Sequence, residues 1–167
     1  MSIKIEIEEW DGKSANEIGG IYSRHCHESS FVSKIIDLTG TGNLQKGATW
    51  LLKRYLENEN KLSKSEIISI YKNLEVVEQW ESKLHMLQSL PFLAIGKSQK
   101  NRVESFLRTC LVDNNKFVRA WAYNGFYELS VQYPEYEKET KQFFEMAMRD
   151  EAASVKSRIR NIMKKGF

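Results

Sequence analysis

The sequence predicts an all-α protein, a helical solenoid of about four helix pairs preceded by a short N-terminal extended arm. Three observations lead there. The 167 residues include only 9 Gly and 2 Pro, too little turn punctuation for a many-stranded barrel or sandwich. Lys, Glu, Leu, Ile and Ala fill the long stretches between breaks, with apolar positions at helical period. A motif also recurs: Asp113 followed by Phe117-Val118-Arg119-Ala120 returns as Asp150 followed by Ser154-Val155-Lys156-Ser157, 37 residues on. A two-helix unit of about that length is the spacing of an α-solenoid, in which each pair buries its apolar face against its neighbours.

Residues 1–13 read as the arm, because Ile3, Ile5 and Ile7 alternate with Lys4, Glu6 and Glu8 at period two. From Ser14 the period becomes helical, and 14–167 form the repeat domain. Breaks fall near Ser29, at Thr39 to Asn43, Glu59 to Lys61, Gly96 to Ser98, Asp113 to Asn115, Tyr133-Pro134 and Asp150. They predict eight or nine helices, about 10–16 residues each. Ser63-Lys64-Ser65-Glu66 before Ile67 is a capping box, and Pro134 suits the first turn of the helix carrying Phe143, Phe144, Met146 and Ala147.

Stepping back from Arg119 by one and two repeat lengths reaches Lys83 and Lys46. The segment Asp113-Asn114-Asn115-Lys116-Phe117-Val118-Arg119-Ala120-Trp121-Ala122 resembles the second helix of a HEAT repeat, which opens with Asp, a spacer and Val-Arg before small and apolar residues. Asp150 with Val155-Lys156 is similar, with Lys in place of Arg, whereas Gly40 and Val77 stand where the earlier units would carry Asp. The resemblance covers about residues 98–164 and extends weakly over 43–97. It implies antiparallel helix pairs with the second helices on a concave side, and no single activity.

At 100° per residue, Val118, Trp121, Ala122, Gly125, Phe126 and Leu129 share one stripe, expected to be buried. Arg119, Tyr123 and Tyr127 form an i, i+4, i+8 column beside it. Carried through the offsets, the column becomes Lys46, Trp50, Arg54; Lys83, Leu87; Arg119, Tyr123, Tyr127; and Lys156, Arg160, Lys164, with no acidic member. Trp50, Arg54, Arg119, Tyr123, Tyr127, Lys156, Arg160 and Lys164 are therefore the expected binding residues. Cations interleaved with rings suit an anionic partner. Arg119 has a competing structural role, since the resemblance implies that its position pairs with an Asp of the inter-helix turn, here Asp113 or Asp150.

The charge is uneven: residues 1–37 hold four Lys/Arg against seven Asp/Glu, and residues 151–167 five against one. No apolar run reaches the length of a membrane span and the start lacks a signal core, so the expectation is a cytoplasmic protein without a membrane partner. Cys26 and Cys110 lie far apart and read as reduced thiols. His25, Cys26 and His27 invite a metal reading, but His25 and His27 would point about 200° apart on a helix, so no metal or other cofactor is expected. Thr39-Gly40-Thr41-Gly42-Asn43 lacks the Lys-Ser/Thr of a phosphate loop and reads as a turn. No catalytic constellation is visible. The expected function is non-catalytic recognition of a protein partner or acidic segment on a concave helical face. Nucleic-acid binding through the same column is the alternative, with the HEAT-like alkylpurine DNA glycosylases a distant third.

Overall fold

Side chains just ahead of the helices determine where several of them begin. In the computed structural model, which describes residues 1–167, Ser14 caps Ala15–His25 by accepting from the Glu17 amide. The predicted capping box is present at Ser63, which accepts from the Glu66 amide while Glu66 accepts from the Ser63 amide. Asn115 accepts from the amides of Phe117 and Val118 and so opens Lys116–Gln132. Each cap satisfies N–H groups that have no partner within their own helix. Pro134 begins a short 3-10 turn, Pro134–Tyr136, that runs directly into Glu137–Asp150.

The chain is all-helical, with ten α-helices and no strand, in two compact units. The first unit, Met1–Phe92, contains α1 (Ile3–Glu9), α2 (Ala15–His25), α3 (Phe31–Thr39), α4 (Gln45–Glu57), α5 (Lys64–Asn73) and α6 (Trp80–Ser89). Here α3 and α4 pack together, α4 packs on α6, and α3 packs on α5. The core is built from Ile18, Phe31, Ile35, Leu51, Leu52, Leu56, Ile70 and Tyr71.

The extended arm is corrected. Residues 3–9 form helix α1, capped by Ser2, with Ile3 and Ile7 buried on one face and Ile5 43% exposed. Over so few residues, alternation satisfies a strand and one face of a two-turn helix equally well. A lone strand would leave its backbone N–H and C=O groups without partners, whereas the helix pairs its own. Gly47 lets Ile7 seat closely: a Cβ there would lie 2.7 Å from the Ile7 Cγ2.

The second unit, Leu93–Phe167, contains α7 (Lys100–Leu111), α8 (Lys116–Gln132), α9 (Glu137–Asp150) and α10 (Ala153–Met163). Helix α8 is central, packing against α7, α9 and α10. Two of its stripes are buried. Val118, Ala122, Phe126 and Leu129 form one; Ala120 and Tyr123 join Phe144, Ala147, Val155, Ile159 and Ile162 in a cluster on the other.

Candidate functional site

Because two sides of α8 are covered, its free side is set by elimination. Phe117, Trp121, Glu128 and Val131 fall within about 80° of one another at 100° per residue. None of these four is fully buried, and Phe117 and Val131 are 46% and 58% exposed, although Asn124, which shares their angular range, is buried. This free stripe lies on the opposite flank of the core from the column expected in the sequence.

Two expectations are corrected by that rotation. Tyr123 is 9% exposed and packs edge-on against Phe144, with ring centroids 6.2 Å apart, so it is core. Trp121 is only half-buried and stands outside the core stripe. Arg119 points toward the α9–α10 turn, where its Nε and Nη2 donate to the two carboxylate oxygens of Glu151 at 2.9 and 3.1 Å. Its Nη1 donates to the backbone carbonyls of Asp113 and Asn114. Arg119 thus has a structural role, but its acid is Glu151, not the Asp113 or Asp150 expected from the sequence. The pair holds the Glu151 carboxyl below its usual range and raises the guanidinium, each mainly through the shared hydrogen bonds.

On the free side, the Arg158 guanidinium of α10 lies 4.1 Å from the centroid of the Trp121 ring. Burial lowers the pKa of Arg158, and no carboxylate bonds to it, yet a guanidinium keeps its charge in proteins. About two turns further, Lys165 lies 5.5 Å from the Tyr127 ring, which also meets the edge of Phe167 at 5.2 Å. Lys116 sits 5.3 Å from the Phe117 ring. Helix α10 and the residues after it carry Lys156, Arg158, Arg160, Lys164 and Lys165, with no acidic residue and no ion pair. Of the predicted residues, Tyr127 and Lys156 are half-buried, and Arg160 and Lys164 are exposed. Glu128 is the one carboxyl of the free stripe; its burial raises its pKa, opposed by Lys165.

Arg158, Lys165 and Trp121 are the members that sequence reasoning left out of the site. Trp121 to Arg158 and Glu128 to Lys165 each span 37 residues, the repeat offset itself, so the signal was present one step around the helix.

In the first unit, Trp50 is half-buried and Arg54 exposed on α4. Beside them Lys46 pairs with Glu81 at 2.9 Å. The Thr49 hydroxyl donates to the Gln45 carbonyl and lies within hydrogen-bond distance of His85 Nδ1, at 3.0 Å. Burial, then Lys53, pushes the His85 imidazole down to about 4. His25 is buried between two acids, with Nδ1 2.6 Å from Glu28 and Nε2 2.7 Å from Glu6, which also pairs with Arg24. Its ring nitrogens thus point to different carboxylates, Cys26 is half-buried and His27 is exposed. No group of three or more His, Cys, Asp or Glu is arranged to hold a metal ion, and no helix is long and apolar enough to cross a membrane.

The chain matches no protein-family model, no curated protein and no solved structure.

Proposed function

We propose that the protein is a non-catalytic recognition module whose second unit binds an acidic protein segment along the free faces of α8 and α10. The observation that carries this reading is the Arg158 guanidinium: half-buried, over the Trp121 ring and without a carboxylate partner. Partial burial disfavours the charge, and an incoming carboxylate would offset that cost while the Trp121 ring lies against the guanidinium. Lys165 over Tyr127 repeats the arrangement. Exposed Phe117 and Val131 supply apolar contact on the same side. The repeat offset supports treating α7–α8 and α9–α10 as HEAT-like pairs in a solenoid, with α8 and α10 as successive second helices.

A protein segment is favoured over single-stranded nucleic acid because the rings are already engaged. Trp121 has Arg158 on its face, and Tyr127 has Lys165 and the Phe167 edge, which leaves little open platform for bases. A second reading, nucleic-acid binding with alkylpurine base excision as its enzymatic form, draws on one observation. Glu128, a carboxyl with a raised pKa, shares the free stripe with Trp121.

The test is an anisotropy titration at two salt concentrations with a labelled Glu-rich peptide and with single-stranded and duplex oligonucleotides, beside the Arg158→Glu/Lys165→Glu variant. Peptide binding that the variant loses is expected. Oligonucleotide binding without peptide binding, with log affinity falling about 0.7–0.9 per log salt for each phosphate contacted, would overturn it. Release of base from an alkylated duplex, lost in Glu128→Gln, would establish the second reading instead.

A further inference from the structure

The chain carries charge of opposite sign toward its two ends. Residues 1–17 hold five Asp/Glu against two Lys, whereas residues 152–167 hold five Lys/Arg and no acid. Glu6 is committed internally, to Arg24 and His25. The others are not: Glu9 and Glu17 are exposed and in no ion pair, Asp11 accepts from the backbone amides of Lys13 and Ser14, and Lys4 comes no closer to Glu8 than 3.9 Å.

Two of these acids share a surface with an apolar side chain. At 100° per residue, Ile5, Glu8 and Glu9 fall within about 100° of one another, opposite the buried Ile3 and Ile7, and Ile5 is 43% exposed. Helix α1 therefore lays one apolar face on the core and turns an isoleucine flanked by two carboxylates to solvent. Trp10 falls on the Ile3–Ile7 side, with its Nε1 donating to the Ser14 carbonyl, and takes no part in that surface.

The α8–α10 face presents the complement. Arg158 and Lys165, each over a ring, and the exposed Arg160 and Lys164 have no carboxylate partner, and Phe117 and Val131 are exposed on the free side of α8. We infer that the acidic segment recognised by this face is the α1–α2 end of a second copy of the chain, so that the protein associates head to tail. This rests on the reading of the α8–α10 face as an acidic-segment site and names its occupant. Opposite charge steers the two surfaces together and disfavours the like-with-like approaches, α10 to α10 or α1 to α1. Ile5 between Glu8 and Glu9 brings an apolar contact for Phe117 or Val131. Because every copy carries both surfaces, each presents the occupant wherever it presents the site, and the contact between them is heterologous.

Sedimentation velocity over a range of concentrations tests it with the full chain, at about 0.01 M and about 1 M salt, between which the screening length falls from about 30 Å to about 3 Å. The parent should gain mass with concentration at low salt, lose that gain at high salt, and be dissociated by the Glu-rich peptide, which competes for the same face. Two neutralised variants, Glu8→Gln/Glu9→Gln/Glu17→Gln and Arg158→Gln/Lys165→Gln, should each stay monomeric alone. Their equimolar mixture should form dimers and nothing larger, because the α8–α10 face of the first and the α1–α2 end of the second are the one intact pair of surfaces. A parent that stays monomeric at low salt yet binds the Glu-rich peptide would overturn the self-association and leave the acidic-segment reading standing; failure to do either would overturn both. Association that survives in either variant alone, or a mixture that stays monomeric, would overturn the head-to-tail assignment.

Discussion

Removing the Glu151 carboxylate tests the α9–α10 turn and, with it, the assignment of Arg119 to structure rather than binding. The pair is bidentate, and its side chains are only 21% and 17% exposed. Exposed pairs contribute about 0.2–1 kcal/mol, whereas breaking a fully buried pair costs about 3–5 kcal/mol. At this intermediate burial Glu151→Gln should cost about 2 kcal/mol. Arg119→Met should cost about 1 kcal/mol more, because it also removes the donors to the carbonyls of Asp113 and Asn114. A double-mutant cycle read by urea unfolding at neutral pH should give a coupling of about 1–2 kcal/mol. The sign with pH follows from the lowered Glu151 pKa. The contribution is full above the ordinary carboxylate value of 4.5 and is lost as pH falls through the lower folded value, so parent and Glu151→Gln should converge in acid. A coupling below about 0.3 kcal/mol, or a gap that persists in acid, would refute the assignment and return Arg119 to the candidate binding residues.

Other substitutions probe separate parts of the account. Phe126→Ala should cost about 3–5 kcal/mol in unfolding experiments, but Trp121→Ala, half-buried beneath Arg158, should cost less, about 2 kcal/mol; the reverse order would put Trp121 back in the core. Gly47→Ala should destabilise by about 1–3 kcal/mol through its contact with Ile7, and Ile7→Ala in the same chain should cost less than it does alone. Glu128→Gln should tighten binding of the acidic peptide and flatten its pH dependence. The raised Glu128 pKa means that the face loses its one negative charge as pH falls, so the parent should bind more tightly below neutrality; an unchanged profile in Glu128→Gln would contradict this.

The all-α class was legible because low Gly and Pro content and helical period act over the whole chain, and caps such as Ser63 and Asn115 are local chemistry. The N-terminal helix was misread because two turns are too short for period two and period 3.6 to separate, and burial of Ile3 and Ile7 settles that contest. The exposed side of α8 was misplaced for a related reason. Angular position shows which residues of α8 share a side, but not which sides its neighbours occupy. With α7, α9 and α10 packed on it, α8 has two buried stripes, and the second takes Tyr123. Trp121, apolar by composition, is left on the free side, where Arg158 covers its ring. A structural role for Arg119 was legible, since a repeat-related cation beside an acidic inter-helix turn is a local pattern, but its acid was not: the sequence points to Asp113 or Asp150, and side-chain geometry brings Glu151.

The four tryptophans make the central claim directly observable. In ¹⁵N-labelled protein, each gives its own indole N–H signal, and Trp10 serves as an internal reference because its Nε1 donates to the Ser14 carbonyl at 3.0 Å. Titration with the Glu-rich peptide should move the Trp121 indole signal and the Arg158 Nε–H signal together, saturably, while those of Trp10, Trp50 and Trp80 stay in place. Peptide binding that leaves Trp121 unmoved, or that moves Trp50 or Trp80 instead, would contradict the assignment of the α8–α10 face as the recognition site.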